Sequence, residues 1–298
     1  MADLQIFDRN SKTMVKEPVF GMRFLKFLYS KSAVSKGFLF FIARYSLLSS
    51  LIGKILRMSF SKRWIRSFIH DHHIDASEFE EAVEKYDSFN DFFIRKLNPL
   101  KRPIETRKNV AVLPADARYL AFESIDRLNH LYIKGQKFSV SAFLQDEKLA
   151  KSFEGGPIVI ARLAPSDCHR FFFPFDCTPS KPKLINGHYY SVNPIALAQN
   201  FKIFSENKRE VTILHSETFS DVAFIEVGAT NVGSIHQTFS ANQRYEKGEE
   251  KGYFSFGGST IVLLFQKNKI QIDKDLIDKS KDNIEARGLY GQSLGRLV

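Results

Sequence analysis

The 298 residues suffice for one large domain or two smaller ones, and 44% apolar with 26% charged residues excludes a disordered or low-complexity chain. Two cysteines, Cys168 and Cys177, make neither a disulfide framework nor a zinc spacing, so a reducing compartment is expected. The net charge of +10 is concentrated: ten Lys/Arg and no Asp or Glu stand between Pro18 and His70, and the remainder is neutral.

The opening "MADLQIFDRN" lacks the layout of a secretory signal. From Phe24 through Ile69 apolar residues recur at three and four, which predicts helices. Arg44 and Lys54 interrupt "GFLFFIARYSLLSSLIGKIL", making it a poor membrane span. A basic amphipathic helix lying on an anionic bilayer fits better, and the wide aliphatic face argues against nucleic acid. In "IHDHHID" (69–75) the histidines match no metal-binding spacing and read as a polar helix connection, so no metal site is expected. "ASEFEEAVEKYDSFNDFFIRKL" continues the helical period until Pro99 and Pro103 break it, so the first ~95 residues are expected to be helical.

From Val110 short β-branched runs follow, separated by Gly, Pro and Asn, with short helices near 139–153 and 194–201. The charged "DKDLIDKSKDNIEARG" reads as a surface helix or loop. The expected architecture is α+β: an N-terminal helical, membrane-associating region over 1–104, then a mostly antiparallel, β-rich body over 105–298.

Within that body "VGATNVGSI" has neither GxGxxG nor a phosphate-loop lysine, and its glycines read as bulges or tight turns. No G-x-S-x-G surrounds any serine. Asp116, His169 and Ser259 are chemically able to activate a serine, but any chain this long holds those three residue types. "YFSFGGSTIVLLF" (253–265) is harder to dismiss, because glycines weaken a strand unless the backbone needs them.

Eight stretches occur in a fixed order: "SFNDFFIRKLNPLKRPI", "LPADARYLAFE", "IKGQKFSVSAFL", "ARLAPSDCHRFFFP", "INGHYYSVNP", "ENKRE", "VGATNVGSI" and "KGEEKGYFSFGGSTIVLLF". Together they resemble the phosphatidylserine decarboxylases, in the bacterial branch whose tetrad is GGST, over residues ~85 to 298. The resemblance implies self-cleavage between Gly258 and Ser259, where glycine offers an uncrowded carbonyl to the serine hydroxyl. Ser259 would become a covalent pyruvoyl cofactor. That group would form a Schiff base with the amine of phosphatidylserine and act as electron sink while carbon dioxide leaves, giving phosphatidylethanolamine. The implied partners are phosphatidylserine in an anionic membrane and the chain's own cleaved α and β pieces as a heterodimer. The implied place is peripheral, on the cytoplasmic face of the cell membrane.

By the same resemblance Asp116 and Ser259 belong to the self-cleavage triad, and His169 assists decarboxylation. The triad's histidine would stand at 172, where this chain has Phe172. Cys168 replaces a tyrosine and Ala117 a glycine, and a left-handed alanine at 117 would cost roughly 1–2 kcal/mol. The chain is therefore expected to be a self-processing decarboxylase in which His169 or a water replaces the lost base. The alternative is an uncleaved, zymogen-like phospholipid-binding protein. His236 and His188 are further candidates for the base.

Overall fold

The computed structural model describes residues 4–17, 53–126, 138–190, 203–228, 235–255 and 259–298. The helices expected over 24–52 and 194–201, and the glycines of the GGST tetrad, lie outside the described residues.

In chain order the strands are β1 (Leu4–Asp8), β2 (Thr13–Glu17), β3 (Val110–Val112), β4 (Ala117–Phe122), β5 (Ile158–Leu163), β6 (Arg170–Phe172), β7 (Thr178–Pro179) and β8 (Lys183–Ile185). They continue with β9 (Arg209–Ser216), β10 (Ser220–Gly228), β11 (Ile235–Gln237), β12 (Glu250–Phe254), β13 (Ser259–Phe265), β14 (Gln271–Ile272), β15 (Ala286–Gly288) and β16 (Ser293–Arg296). A large sheet runs β2-β1-β15-β4-β5-β13-β10-β9-β7, with β8 also beside β9, and two small sheets run β11-β12-β6 and β14-β16-β3. Among the described pairs of strands only β1 with β15 is parallel, so the expected α+β body, mostly antiparallel and β-rich, is what the chain forms.

The central strands are covered on both faces, which is why "IVLLF" reads as a continuous apolar run instead of alternating. On one face Leu120, Ile160, Val262 and Ile225 pack with Phe143, Phe153 and Phe204. These phenylalanines come from the helices Val140–Leu144 and Ile203–Glu206 and from the turn after Glu147–Lys151. The other face carries Tyr119, Ala161, Ile261 and Phe224, packed against Phe171 and Phe254 of the β11-β12-β6 sheet. Leu276 and Ile277 of the terminal helix Lys274–Lys281 pack there too.

The N-terminal layer is built from short helices, among them Ile65–Asp71 and Phe89–Phe93. Ser88 starts the second by accepting from the Asp91 amide, a serine cap of the kind that satisfies an orphan helix N–H. Ile65, Phe79, Tyr86, Phe89, Phe92 and Phe93 form a separate cluster that also takes in Cys168.

The start of the chain corrects the helical expectation. Residues 4–17 are a hairpin, not helix, with Ile6 facing Val15. Its β1 docks on β15, with Phe7 opposite Ala286. Five-residue strands carry too short an alternation to outweigh the helical period that follows, and their partner lies about 280 residues away.

Candidate active site

Ser259 opens β13, opposite Gly228 of β10 on one side and Leu163 of β5 on the other. Its side chain is fully buried, and its Oγ has no hydrogen-bond partner among the described residues. An orphaned hydroxyl at such a depth normally costs roughly 1–3 kcal/mol. A hydroxyl kept unpaired there suits a nucleophile that is to be consumed, so the residues present fit a serine-derived group at this position.

Asp116 stands just before β4 at the same end of the large sheet. Arg118 of β4 faces Arg162 of β5, which faces Thr260 of β13. Ala117 and Ser259 are therefore about two strand spacings apart, on the order of 10 Å. Ala117 begins a regular strand opposite Gly288 and is not among the residues of positive φ. The left-handed strain expected there does not arise.

The Asp116 carboxylate is occupied. Arg102 donates from Nη2 to Oδ2 at 2.8 Å and from Nε to both oxygens at 3.2 Å. The Tyr290 amide donates to Oδ1 at 2.9 Å. Arg102 also reaches Glu78 at 2.7 Å. Burial pushes the Asp116 carboxyl up, against the pull of Arg102 and the Tyr290 amide. Burial would lower Arg102, but its bonds to two carboxylates outweigh that and hold it above its ordinary value.

Phe172 ends β6 and stacks on Tyr290, ring centroids 4.1 Å apart and planes nearly parallel. The side chain where the triad histidine was expected thus packs against the very residue whose amide binds Asp116. Phe172 supplies apolar surface there and no proton acceptor.

His169 is fully buried beneath Phe93, whose ring lies 3.8 Å away. Its Nδ1 is 3.1 Å from the Asp167 carbonyl oxygen, and its own carbonyl accepts from the Phe254 amide at 2.9 Å. The helix Phe89–Phe93 therefore roofs His169, while β12 ties it to the strand that leads into the tetrad. Cys168 donates its thiol to the Arg95 carbonyl at 3.2 Å, and burial pushes that thiol up to about 11.

A cavity of about 430 Å³ opens between the N-terminal hairpin and the helical layer, and Asp116, Asp167 and Cys168 line it. Arg95 also lines it, buried, with its Nε lacking a partner among the described residues. Asp167 closes one end by binding Arg118, which also pairs with Glu17 of β2. Among the described residues no group of three or more His, Cys, Asp or Glu side chains is placed to hold a metal ion.

Sequence reasoning named Ser259, Asp116 and His169 but not Arg102, Tyr290 or the His236–Ser255 contact, in which Nε2 and Oγ are 2.8 Å apart. His188 is drawn into the fold by backbone bonds with Glu206 and Lys208.

Comparison with known proteins adds a separate line. The family model described as phosphatidylserine decarboxylase matches residues 89–296. The chain belongs to the phosphatidylserine decarboxylase family. Relatives in that family include the phosphatidylserine decarboxylase proenzyme of Chlamydia pneumoniae, 46% identical over 98% of this chain and 97% of the relative. The proenzyme of Fusobacterium nucleatum subsp. nucleatum is 44% identical over the same shares. That of Clostridium perfringens is 41% identical over 98% of this chain and 99% of the relative. The similarity to these phosphatidylserine decarboxylases thus extends over the N-terminal residues that precede the family match.

Proposed function

We propose that this chain is a proenzyme that cleaves itself between Gly258 and Ser259 and then decarboxylates phosphatidylserine to phosphatidylethanolamine. The observation that carries the reading is Ser259: buried, at the head of a core strand, its hydroxyl without a partner among the described residues. In self-cleavage the Ser259 oxygen bonds to the Gly258 carbonyl carbon while the amide nitrogen takes a proton and leaves. The resulting ester is eliminated with loss of the Ser259 α-proton, and one water releases ammonia and the pyruvoyl end. A pyruvoyl group at 259 supplies an electrophilic ketone and an electron sink for the carboxylate's electron pair.

His169 is the residue of this chain proposed to manage the substrate's proton, held in orientation by Phe93 and the Asp167 carbonyl. Arg95 offers a cation to an anionic headgroup entering the cavity. We assign residues 1–104 to membrane association and 105–298 to the chemistry. The hairpin 4–17 is the exception, since it completes the catalytic sheet. The two cleaved pieces stay together as a heterodimer, because β13 of the smaller piece lies between β5 and β10 of the larger.

Membrane docking is supported by a surface patch. Met58, Phe60 and Trp64 are exposed beside Lys62 and Arg63, and the Arg63 guanidinium lies 5.2 Å from the Phe60 ring centroid. Apolar and aromatic groups among cations are what an anionic bilayer surface receives. Among the described residues no helix is long and apolar enough to cross a membrane. We place the enzyme peripherally, on the cytoplasmic face of the cell membrane.

The intact mass of the purified chain tests the reading. Cleavage gives a 40-residue carboxyl fragment, 259–298, whose blocked end carries pyruvoyl. It should be accompanied by conversion of phosphatidylserine in vesicles. A persistent 34.2 kDa species without decarboxylation would sink the proposal. It would favour instead an uncleaved phospholipid-binding protein, the reading that Phe172 and the occupied Asp116 carboxylate support.

A further inference from the structure

We propose that Arg118, braced by Glu17 of the N-terminal hairpin, is a positioning residue for His169 and acts through the Asp167 turn, an inference that rests on the role given to His169 above. The first observation is the turn itself. The Asp167 amide donates to the Ala164 carbonyl at 2.9 Å, and the Ala164 amide donates to Asp167 Oδ2 at 2.8 Å. The Asp167 carbonyl oxygen is 3.1 Å from His169 Nδ1. A carbonyl only accepts, so in the neutral ring Nδ1 carries the proton and Nε2 the lone pair. The turn therefore sets which ring nitrogen is the one to exchange a proton.

The second observation is what holds the turn. Arg118 donates from Nη1 to both oxygens of the Asp167 carboxylate. Arg95 donates from Nη2 to the neighbouring Ser166 carbonyl at 2.7 Å. Both arginines are buried, and Arg95 belongs to the layer whose Phe93 roofs the imidazole. Burial would lower Arg118, but Asp167 and Glu17 outweigh it and hold the guanidinium above its ordinary value.

The third is the bracing. Arg118 stands directly opposite Arg162 in the β4–β5 pairing, and like charges so placed destabilise a sheet. Glu17, at the end of β2, meets both. It pairs with Arg118 through Oε1 and with Arg162 through Oε2, the latter at 2.7 Å. Glu285 takes the other side of Arg162, accepting from Nε at 2.9 Å. Buried charges of this kind do little for stability, since well-packed apolar groups would often serve as well. Fixed direction is what they supply: a planar guanidinium bound on two edges holds its carboxylates in one geometry. Through Glu17 the hairpin 4–17 thus bears on the proposed catalytic histidine.

The test compares the parent chain with Arg118→Lys, Asp167→Asn and Glu17→Gln. Lysine keeps the charge but offers one nitrogen where arginine uses two, so it cannot hold Glu17 and Asp167 in the same geometry. Asparagine keeps an oxygen for the Ala164 amide and loses the charge that Arg118 binds. Turnover of short-chain phosphatidylserine is measured per mole of pyruvoyl fragment. Imidazole nitrogen NMR reports the His169 tautomer, its signal assigned by its loss in His169→Gln. In Arg118→Lys and Asp167→Asn, kcat should fall by up to about a hundredfold, the cost of a small misplacement, with little change in KM. The Nδ1-protonated signal should weaken in step. Glu17→Gln should act in the same direction by a smaller factor, and parent values there would overturn the bracing. Folded Arg118→Lys and Asp167→Asn proteins with the parent kcat overturn the proposal. So does a loss of kcat with the tautomer unchanged, since that marks a structural role. A parent chain that stays uncut fails the self-cleavage reading; the tautomer, which the uncut chain also shows, then decides this proposal by itself.

Discussion

Phe172 offers the buried Asp116 carboxylate no imidazole, and both carboxylate oxygens are bound by other groups. Arg102 and the Tyr290 amide take both oxygens, and Phe172 stacks over Tyr290. Asp116, proposed as a triad member, is therefore also the counter-ion of Arg102. Asp116→Ala should leave the Arg102 guanidinium buried with only Glu78 to meet it. Breaking a buried pair costs about 3–5 kcal/mol, so a clear loss of urea midpoint is expected, whereas an unchanged midpoint would show the pair to be dispensable. Ser259, Asp116 and His169 could be proposed from the sequence because each sits at a motif position to which the resemblance gives a role. Arg102 lies in a quoted stretch to which no role was attached, and Tyr290 lies 174 residues from the carboxylate it binds, so neither contact was legible.

Between the large sheet and the β11-β12-β6 sheet lies an ion pair without exposed surface, Lys251 of β12 on Glu226 of β10. Lys251 also donates to Gln237 Oε1 at 2.9 Å and to Thr212 at 3.2 Å, and it lies 4.7 Å from the Phe224 ring centroid. Burial pushes Glu226 up and Lys251 down, and each charge offsets part of the other's penalty. Register places Glu226 opposite Ile261, one diagonal step from Ser259 on the same face. The pair thus lies between the two sheets beside Ser259. Lys251→Met alone should destabilise by about 3–5 kcal/mol, while Glu226→Gln with Lys251→Met should recover most of that loss, because matched removal of a buried pair is often near neutral. Denaturant midpoints of the two variants decide it; equal losses would mean the lysine acts through its length, not its charge. At this scale the sequence was most legible where strands are central. "IVLLF" (261–265) and "IVIA" (158–161) are apolar throughout because both faces are covered. The hairpin 4–17 was illegible because its meaning depends on β15, and on Glu17 reaching Arg118 and Arg162 deep in the fold.

Over the whole molecule, charge and apolar exposure are laid out for a surface. All of the excess of ten positive charges comes from the segment between Pro18 and His70. The described end of that segment exposes Met58, Phe60 and Trp64 around Lys62 and Arg63. The same layer reaches inward, since Phe93 covers His169 and Glu78 binds Arg102. Docking the patch on a bilayer would therefore bring the membrane to the layer that roofs the proposed catalytic histidine. Trp64 is the only tryptophan, so its emission reports this docking without a label. Vesicles containing phosphatidylserine should shift that emission to the blue, while zwitterionic vesicles should shift it far less. Each cation near an anionic surface contributes about 1 kcal/mol, so Lys62→Gln with Arg63→Gln should weaken binding by roughly tenfold to thirtyfold. High salt should mimic that loss, because screening at 1 M shortens the reach of charge to about 3 Å. Phe60→Ala removes a large apolar side chain worth about 1.5–3 kcal/mol when fully buried, so its loss should persist at high salt. Emission that ignores phosphatidylserine vesicles altogether would separate this patch from the membrane and leave its cations to another surface.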